Sequence, residues 1–276
     1  MRLLLALTLA SALPLAAQQI IFKPVAPEVV EQRFARLQPK NADRADSLRA
    51  IFTEAGCTSE NWTEQKIKRS KLPNLICTLP GSSDRRVVVS AHYDKVDAGQ
   101  GAIDNWSGAS LLPSLYESLR EAPRTLTYVF LLTTDEEKGL IGAQEYVRLL
   151  TKAQLPSIVA QVNLDSLGLA GPTYAWHSRA DKNLWNAAVL VSNALKLPLS
   201  GMNIDGAGES DSLPFTTKHI PVIDFHSLNR ETIKILHTPK DVPAAHDPAS
   251  YYDSFRLLTA FLAYLDVMPE PLAPRK

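Results

Sequence analysis

The apolar positions of this chain change period several times. Over residues 27–56, Val29, Val30, Phe34 and Leu37 recur at helical spacing, and Ala45, Leu48, Ile51 and Phe52 repeat the pattern. Pro39 lies between the two sets, so the spacing predicts a helix broken there. Residues 62–68 and 75–79 read as a strand pair joined by the polar turn at 70–73. Residues 86–91 are a compact β-branched run, suited to a strand covered on both faces. A helix is predicted over 107–121, with Leu111, Leu112, Leu115, Tyr116 and Leu119 on one side and Pro113 early in its course. Strand 126–133, helix 143–150, strand 157–164, helix 184–195, strand 220–225 and helix 250–265 follow, before a Pro-rich tail. Strands alternating with helices predict βαβ units. The expected fold is a single α/β domain with a mostly parallel, mixed central sheet flanked by helices.

Composition narrows the class. The 276 residues carry 29 basic and 29 acidic side chains and are 45% hydrophobic. Such a balance argues against a nucleic-acid partner, which calls for a strongly basic face, and the apolar content excludes a disordered chain. One apolar stretch stands out, at the N-terminus. Arg2, the apolar run over 3–17 and the small residues closing it have the anatomy of a secretory signal peptide. Pro14 interrupts a run already shorter than the ~20 residues that span a bilayer. Cleavage is expected at Ala17, leaving 18–276 as the mature domain, secreted or periplasmic and without a membrane anchor. In such a compartment Cys57 and Cys77 can form one disulfide; two buried thiols are the alternative, and no CxxC spacing supports a zinc site on this pair. No heptad pattern predicts an oligomer, so a monomer is the default.

The candidate chemistry gathers at strand ends. In open α/β sheets, ligands bind beyond the carboxyl ends of the strands. His92-Tyr93-Asp94 closes strand 86–91, Asp135-Glu136-Glu137 follows strand 126–133, and Asp165 follows strand 157–164. His237 lies in the loop after strand 220–225, and Asp104 in a loop that opens the helix at 107. Singly these are weak signals: adjacent glutamates are commonly a solvated face, and a lone Asp after a strand is commonly a helix cap. Their joint placement at one sheet edge is not explained by independent surface accidents. His177, His219 and His246 fit no such block, and His226 is left between a pocket wall and ordinary packing.

In order along the chain, HYDKV (92–96), GAIDNWSGA (101–109), DEEKGLIGA (135–143), VNLDSLG (162–168) and LHTPKD (236–241) resemble the blocks of the co-catalytic di-zinc aminopeptidase family, peptidase family M28. The resemblance implies a zinc peptidase domain binding two Zn²⁺ per chain, with His92 and Asp165 on one ion, Glu137 and His237 on the other, and Asp104 bridging. Three carboxylates and one hydroxide would balance the four positive charges, as a partly buried site requires. Cobalt or manganese could occupy the same N/O donors. The resemblance also implies Asp94 as the carboxylate orienting His92, Glu136 as general base, and a cis Asp104–Asn105 peptide. The implied activity is exopeptidase hydrolysis, through a metal-bridging hydroxide, of peptides with a free N-terminus. Residues 208–215 resemble the family's SDHxxF-like segment with Ser212 in place of its histidine, and Asp211 stays outside the implied ligand set. Glutaminyl cyclases share the scaffold with a single zinc, but carry a DSAVPC-like stretch where this chain has DNWSGA at 104–109. Glutamate carboxypeptidases share the metal blocks, so the direction of exopeptidase attack stays open.

Overall fold

The apolar runs of the sequence become the middle of an eight-stranded mixed sheet. A computed structural model describes residues 20–206 and 208–268; the expected signal peptide over 1–17 and the Pro-rich tail beyond 268 lie outside the described residues. In chain order the strands are β1 (Trp62–Gln65), β2 (Asn74–Leu79), β3 (Arg86–His92), β4 (Thr127–Thr133), β5 (Ile158–Leu164), β6 (Thr173–Ala175), β7 (Leu199–Gly201) and β8 (Val222–His226). Their spatial order is β1-β2-β4-β3-β5-β8-β6-β7. The four central strands β4, β3, β5 and β8 run parallel, and the β1–β2 hairpin joins β4 antiparallel. The helices are α1 (Pro27–Phe34), α2 (Asn41–Glu54), α3 (Gly108–Arg120), α4 (Ile141–Leu149), α5 (Lys182–Leu195), α6 (Leu213–Thr216) and α7 (Pro248–Val267).

Each strongly periodic segment therefore takes the expected form, including the break between α1 and α2. β6 and β7 were not expected. With three residues each, they are too short to show a period, and they form by pairing against β8 and each other. α7 is longer than its apolar pattern because Asp247 accepts a hydrogen bond from the Ser250 amide (2.8 Å) and Pro248 opens the first turn.

Strand alternation explains where the site sits. Val87, Val89 and Ala91 of β3, with Tyr128, Phe130 and Leu132 of β4, belong to the large core shared with α1, α2, α3, α5 and α7. The opposite face is apolar only at its start, where Val88, Val129, Leu131 and Val222 pack with Tyr146 and Phe215. Further along the same face β3 continues Val88, Ser90, His92, and β8 continues Val222, Asp224, His226. The polar face thus emerges at the carboxyl ends of the parallel strands.

Cys57 and Cys77 are bridged, with Cα atoms 6.4 Å apart, tying the chain after α2 to buried β2. Closing a loop of 20 residues stabilises a fold by about 3 kcal/mol through the unfolded state. No helix among the described residues is long and apolar enough to cross a membrane.

Candidate metal centre

His92 ends β3 and is 2% exposed. Its Nδ1 donates to the Asp94 carbonyl at 3.2 Å, which in the neutral ring leaves the Nε2 lone pair for a ligand. That Nε2 lies 3.1 Å from Asp104 Oδ1 and 3.7 Å from Asp165 Oδ2. On the other side, His237 Nε2 lies 3.2 Å from Asp104 Oδ2 and 2.9 Å from Glu137 Oε2. Asp104 therefore presents one oxygen to each histidine. Two groups, His92/Asp104/Asp165 and Asp104/Glu137/His237, each place their ligand atoms within 4.8 Å of one another and share Asp104.

The loops that carry these side chains are braced to each other. Asp94, almost fully buried, accepts the Glu136 amide on Oδ1 (3.0 Å) and the Glu137 amide on Oδ2 (3.3 Å). Its carboxylate lies 3.6 Å from His92 Nδ1, so the ring's hydrogen bond goes to the backbone carbonyl of the same residue. The Asp104–Asn105 peptide is cis. Asn105 donates to the Leu164 carbonyl (2.8 Å) and accepts the Gly108 and Ser166 amides, joining the Asp104 loop to the segment that carries Asp165. Gly101 opens that loop with φ +58°, and a Cβ there would collide with Lys95 Cβ, the Asp104 carbonyl and the Arg44 guanidinium.

Arg44 was not singled out in the sequence. A basic residue in an amphipathic helix ordinarily reads as part of a solvated face. Here it is fully buried, and its guanidinium donates to the carbonyls of Gln38 (2.9 Å), Tyr93 (3.2 Å), Gln100 (2.5 Å) and Gly101 (3.0 Å). It also lies over the Trp106 ring at 5.8 Å. Burial lowers its pKa to about 10, so it stays a cation at neutral pH. It fastens both ends of the connection that runs from β3 to the Asp104 loop.

The electrostatics call for a cation. Burial and the charge of Asp104 push Glu137 up to about 7. Asp165 also reaches about 7, driven by burial and Asp104 against the pull of His92. Burial would raise Asp104 too, but hydrogen bonds from His237 and His92 hold it well below the carboxylate range. Burial drives Glu136 well above the ordinary value, with Asp211, Asp165 and Asp104 adding repulsion against the attraction of His92. Glu137 Oε1 is buried without a hydrogen-bond partner. Imidazole nitrogens and carboxylate oxygens crowded in this way fit zinc, and the unpartnered oxygen is what a bound ion would satisfy.

Beside these groups lies a cavity of about 560 Å³, into which Glu136 faces together with Trp176, Phe225, Leu228 and Ile233. His226 lines it as well. The Leu228 amide donates to its Nδ1 (3.1 Å), and burial lowers its pKa to about 4, so the ring is neutral. Asp211 is buried and accepts from the Thr133 hydroxyl, outside both ligand groups. Ser212, in place of the family's histidine, bonds the Ser210 hydroxyl (2.8 Å). His246 stacks on Phe34 and bonds Glu31, and His177 packs edge-on against Trp185. Neither these two nor His219 belongs to a ligand group among the described residues.

Comparison with known proteins places these features. The model of peptidase family M28 matches residues 74–262. Aminopeptidase YwaD of Bacillus subtilis is 29% identical over 163 residues, covering 56% of this chain and 35% of the relative. The chain spans about a third of the length of the first curated relatives it matches. Among solved structures, BSAP, a zinc aminopeptidase from Bacillus subtilis, superposes with a TM-score of 0.64 at 26% identity, covering 70% of this chain and 50% of that one. A glutaminyl cyclase from an Acidobacteriales bacterium has the same fold, with a TM-score of 0.72 at 16% identity, and 89% of this chain covers 97% of that one.

Proposed function

The chain belongs to peptidase family M28, and on that premise we propose that it is an exported, zinc-dependent exopeptidase that removes N-terminal residues from peptides. One observation carries the reading: the Nε2 atoms of His92 and His237 approach opposite oxygens of one buried carboxylate, Asp104, with Asp165 and Glu137 completing the two groups. In this reading His92, Asp104 and Asp165 would hold one zinc, and Asp104, Glu137 and His237 the other. Zinc bound there would supply Lewis acidity, polarising a scissile carbonyl and making water acidic enough to deprotonate near neutral pH.

The chain's own residues supply the rest. Glu136 is held by its backbone amide on Asp94 and faces the cavity, where its carboxylate would take a proton from the attacking water and return it to the departing amine. Burial and the neighbouring carboxylates raise its pKa above that of an ordinary glutamate, which makes it the stronger base. Asp94 fixes this base and the neighbouring ligand through consecutive amides, while its carbonyl sets the His92 ring. The apolar cavity wall would accept the substrate's N-terminal side chain and exclude water around it. The expected signal peptide and the Cys57–Cys77 bridge support a secreted or periplasmic setting.

A second reading is favoured by the near-complete coverage of the glutaminyl cyclase fold. On it, a single zinc would serve cyclisation of N-terminal glutamine with loss of ammonia. Incubating zinc-loaded mature protein with peptides beginning in Leu or Gln, and reading products by mass spectrometry, separates the two. Loss of whole N-terminal residues is the expected result; ammonia loss confined to the Gln peptides would replace it with the cyclase.

A further inference from the structure

We propose that Asp241 is a positioning residue that locks the His237 loop to the loop of the bridging Asp104, and that tight binding of the second zinc depends on it. The inference rests on the two-zinc reading above.

His237 needs such a lock. Its side chain is 57% exposed, its backbone adopts φ +56°, and it lies outside every strand, following the short turn Thr232–Ile235. Four residues on, Asp241 is 2% exposed and faces the start of the Asp104 loop. Its Oδ1 accepts the Ile103 amide at 2.7 Å and its Oδ2 accepts the Asp104 amide at 3.2 Å. The backbone joins in: the Asp241 carbonyl accepts the Gln100 amide (2.7 Å), and the Asp241 amide donates to the Thr238 carbonyl (3.1 Å). One residue thus closes the His237 turn on itself and grips the opposite loop at three points.

The chemistry specifies a carboxylate of this length. Two consecutive amides need two acceptor oxygens side by side, and an amide side chain offers only one. Glutamate keeps the charge but moves the oxygens by a methylene. The arrangement mirrors Asp94, which follows His92 and accepts the amides of Glu136 and Glu137. Each histidine segment thus carries an aspartate that grips the backbone of another ligand. The Asp94 grip reinforces a histidine already fixed in β3, whereas the Asp241 grip secures one that no strand holds. Its loss should therefore fall on the His237 half.

The test is a zinc titration of the metal-free full-length mature protein against a chromophoric chelator, which reads affinity and stoichiometry without turnover. Wild type is expected to take up two zincs, and His237→Ala identifies the step belonging to the His237 half. In Asp241→Asn that step should weaken by about 10–100-fold, with the other zinc held within about threefold of wild type. Asp241→Glu should show the same selective loss, and it reads the geometry should the Asn variant not fold. A second-zinc affinity within about twofold of wild type in Asp241→Asn, recovery of wild-type affinity in Asp241→Glu, or equal weakening of both zincs would each overturn the role. A wild type that takes up only one zinc overturns the two-zinc reading and this role with it, and that result is visible before any variant is made.

Discussion

The two histidines of the centre are held in opposite ways. His92 is the last residue of β3, a strand with parallel neighbours on both sides; it pairs with Thr133 of β4 and is 2% exposed. His237 stands on a loop, more than half exposed, and reaches Asp104 and Glu137 from outside the sheet. The difference shows how one site can be both rigid and open. The sheet fixes one half, cross-loop carboxylates fix the other, and among the described residues Asp104 is common to both groups. An open face is what a catalytic site needs for substrate to enter.

The largest effect should come from breaking what the halves share. Asp104→Ala is expected to abolish the two-zinc stoichiometry, measured by metal analysis, and to lower kcat/KM by more than about 10⁴-fold, beyond what one general base contributes. A variant still holding two zincs would show that Asp104 is no bridge. Glu136→Gln belongs to neither half and should lower kcat by about 10²–10⁴-fold with both zincs retained. Near-normal turnover in that variant would remove Glu136 from its role.

Smaller effects sharpen the contrast. In metal-free protein, His92→Ala leaves buried Asp104 without one of its two histidine partners and should cost about 3 kcal/mol or more by chemical denaturation. His237→Ala also unpairs an Asp104 oxygen but empties no buried space, because that ring is 57% exposed and water can replace it, and should cost clearly less. Equal losses would erase the distinction between the halves.

A further contrast concerns the site's wall. His226 is neutral when folded, with a pKa of about 4, whereas an unfolded histidine titrates near 6.5. The unfolded chain thus binds the extra proton first, so this histidine's own contribution to stability should fall as pH drops from about 6.5 towards 4, by up to roughly 3 kcal/mol. His226→Phe keeps a ring beside Tyr174 and should flatten that part of the stability–pH curve. An unchanged slope would place the acid sensitivity elsewhere.

What was legible in the sequence follows from range. The strongly periodic segments appear because alternation and helical spacing are local properties, and the five blocks because each is a short contiguous string at a strand end. β6 and β7 carried no local signal. Asn105 and Asp241 lie inside two of those blocks, yet their partners are 59 and 138 residues away in Leu164 and Ile103, and no spacing announces such contacts. Arg44 was hidden for a related reason: its hydrogen-bond partners are backbone carbonyls, which every residue owns.

By itself, then, the sequence determined the mixed α/β sheet, the edge at which chemistry collects and the types of ligand available there, because these rest on period, strand order and side-chain chemistry. The Cys57–Cys77 pairing, the brace of carboxylates across the loops and the opposite burial of His92 and His237 were decided only in the tertiary structure. Each depends on which distant backbone amide or sulfur comes within a few ångströms, a distance set by the packing of the whole chain.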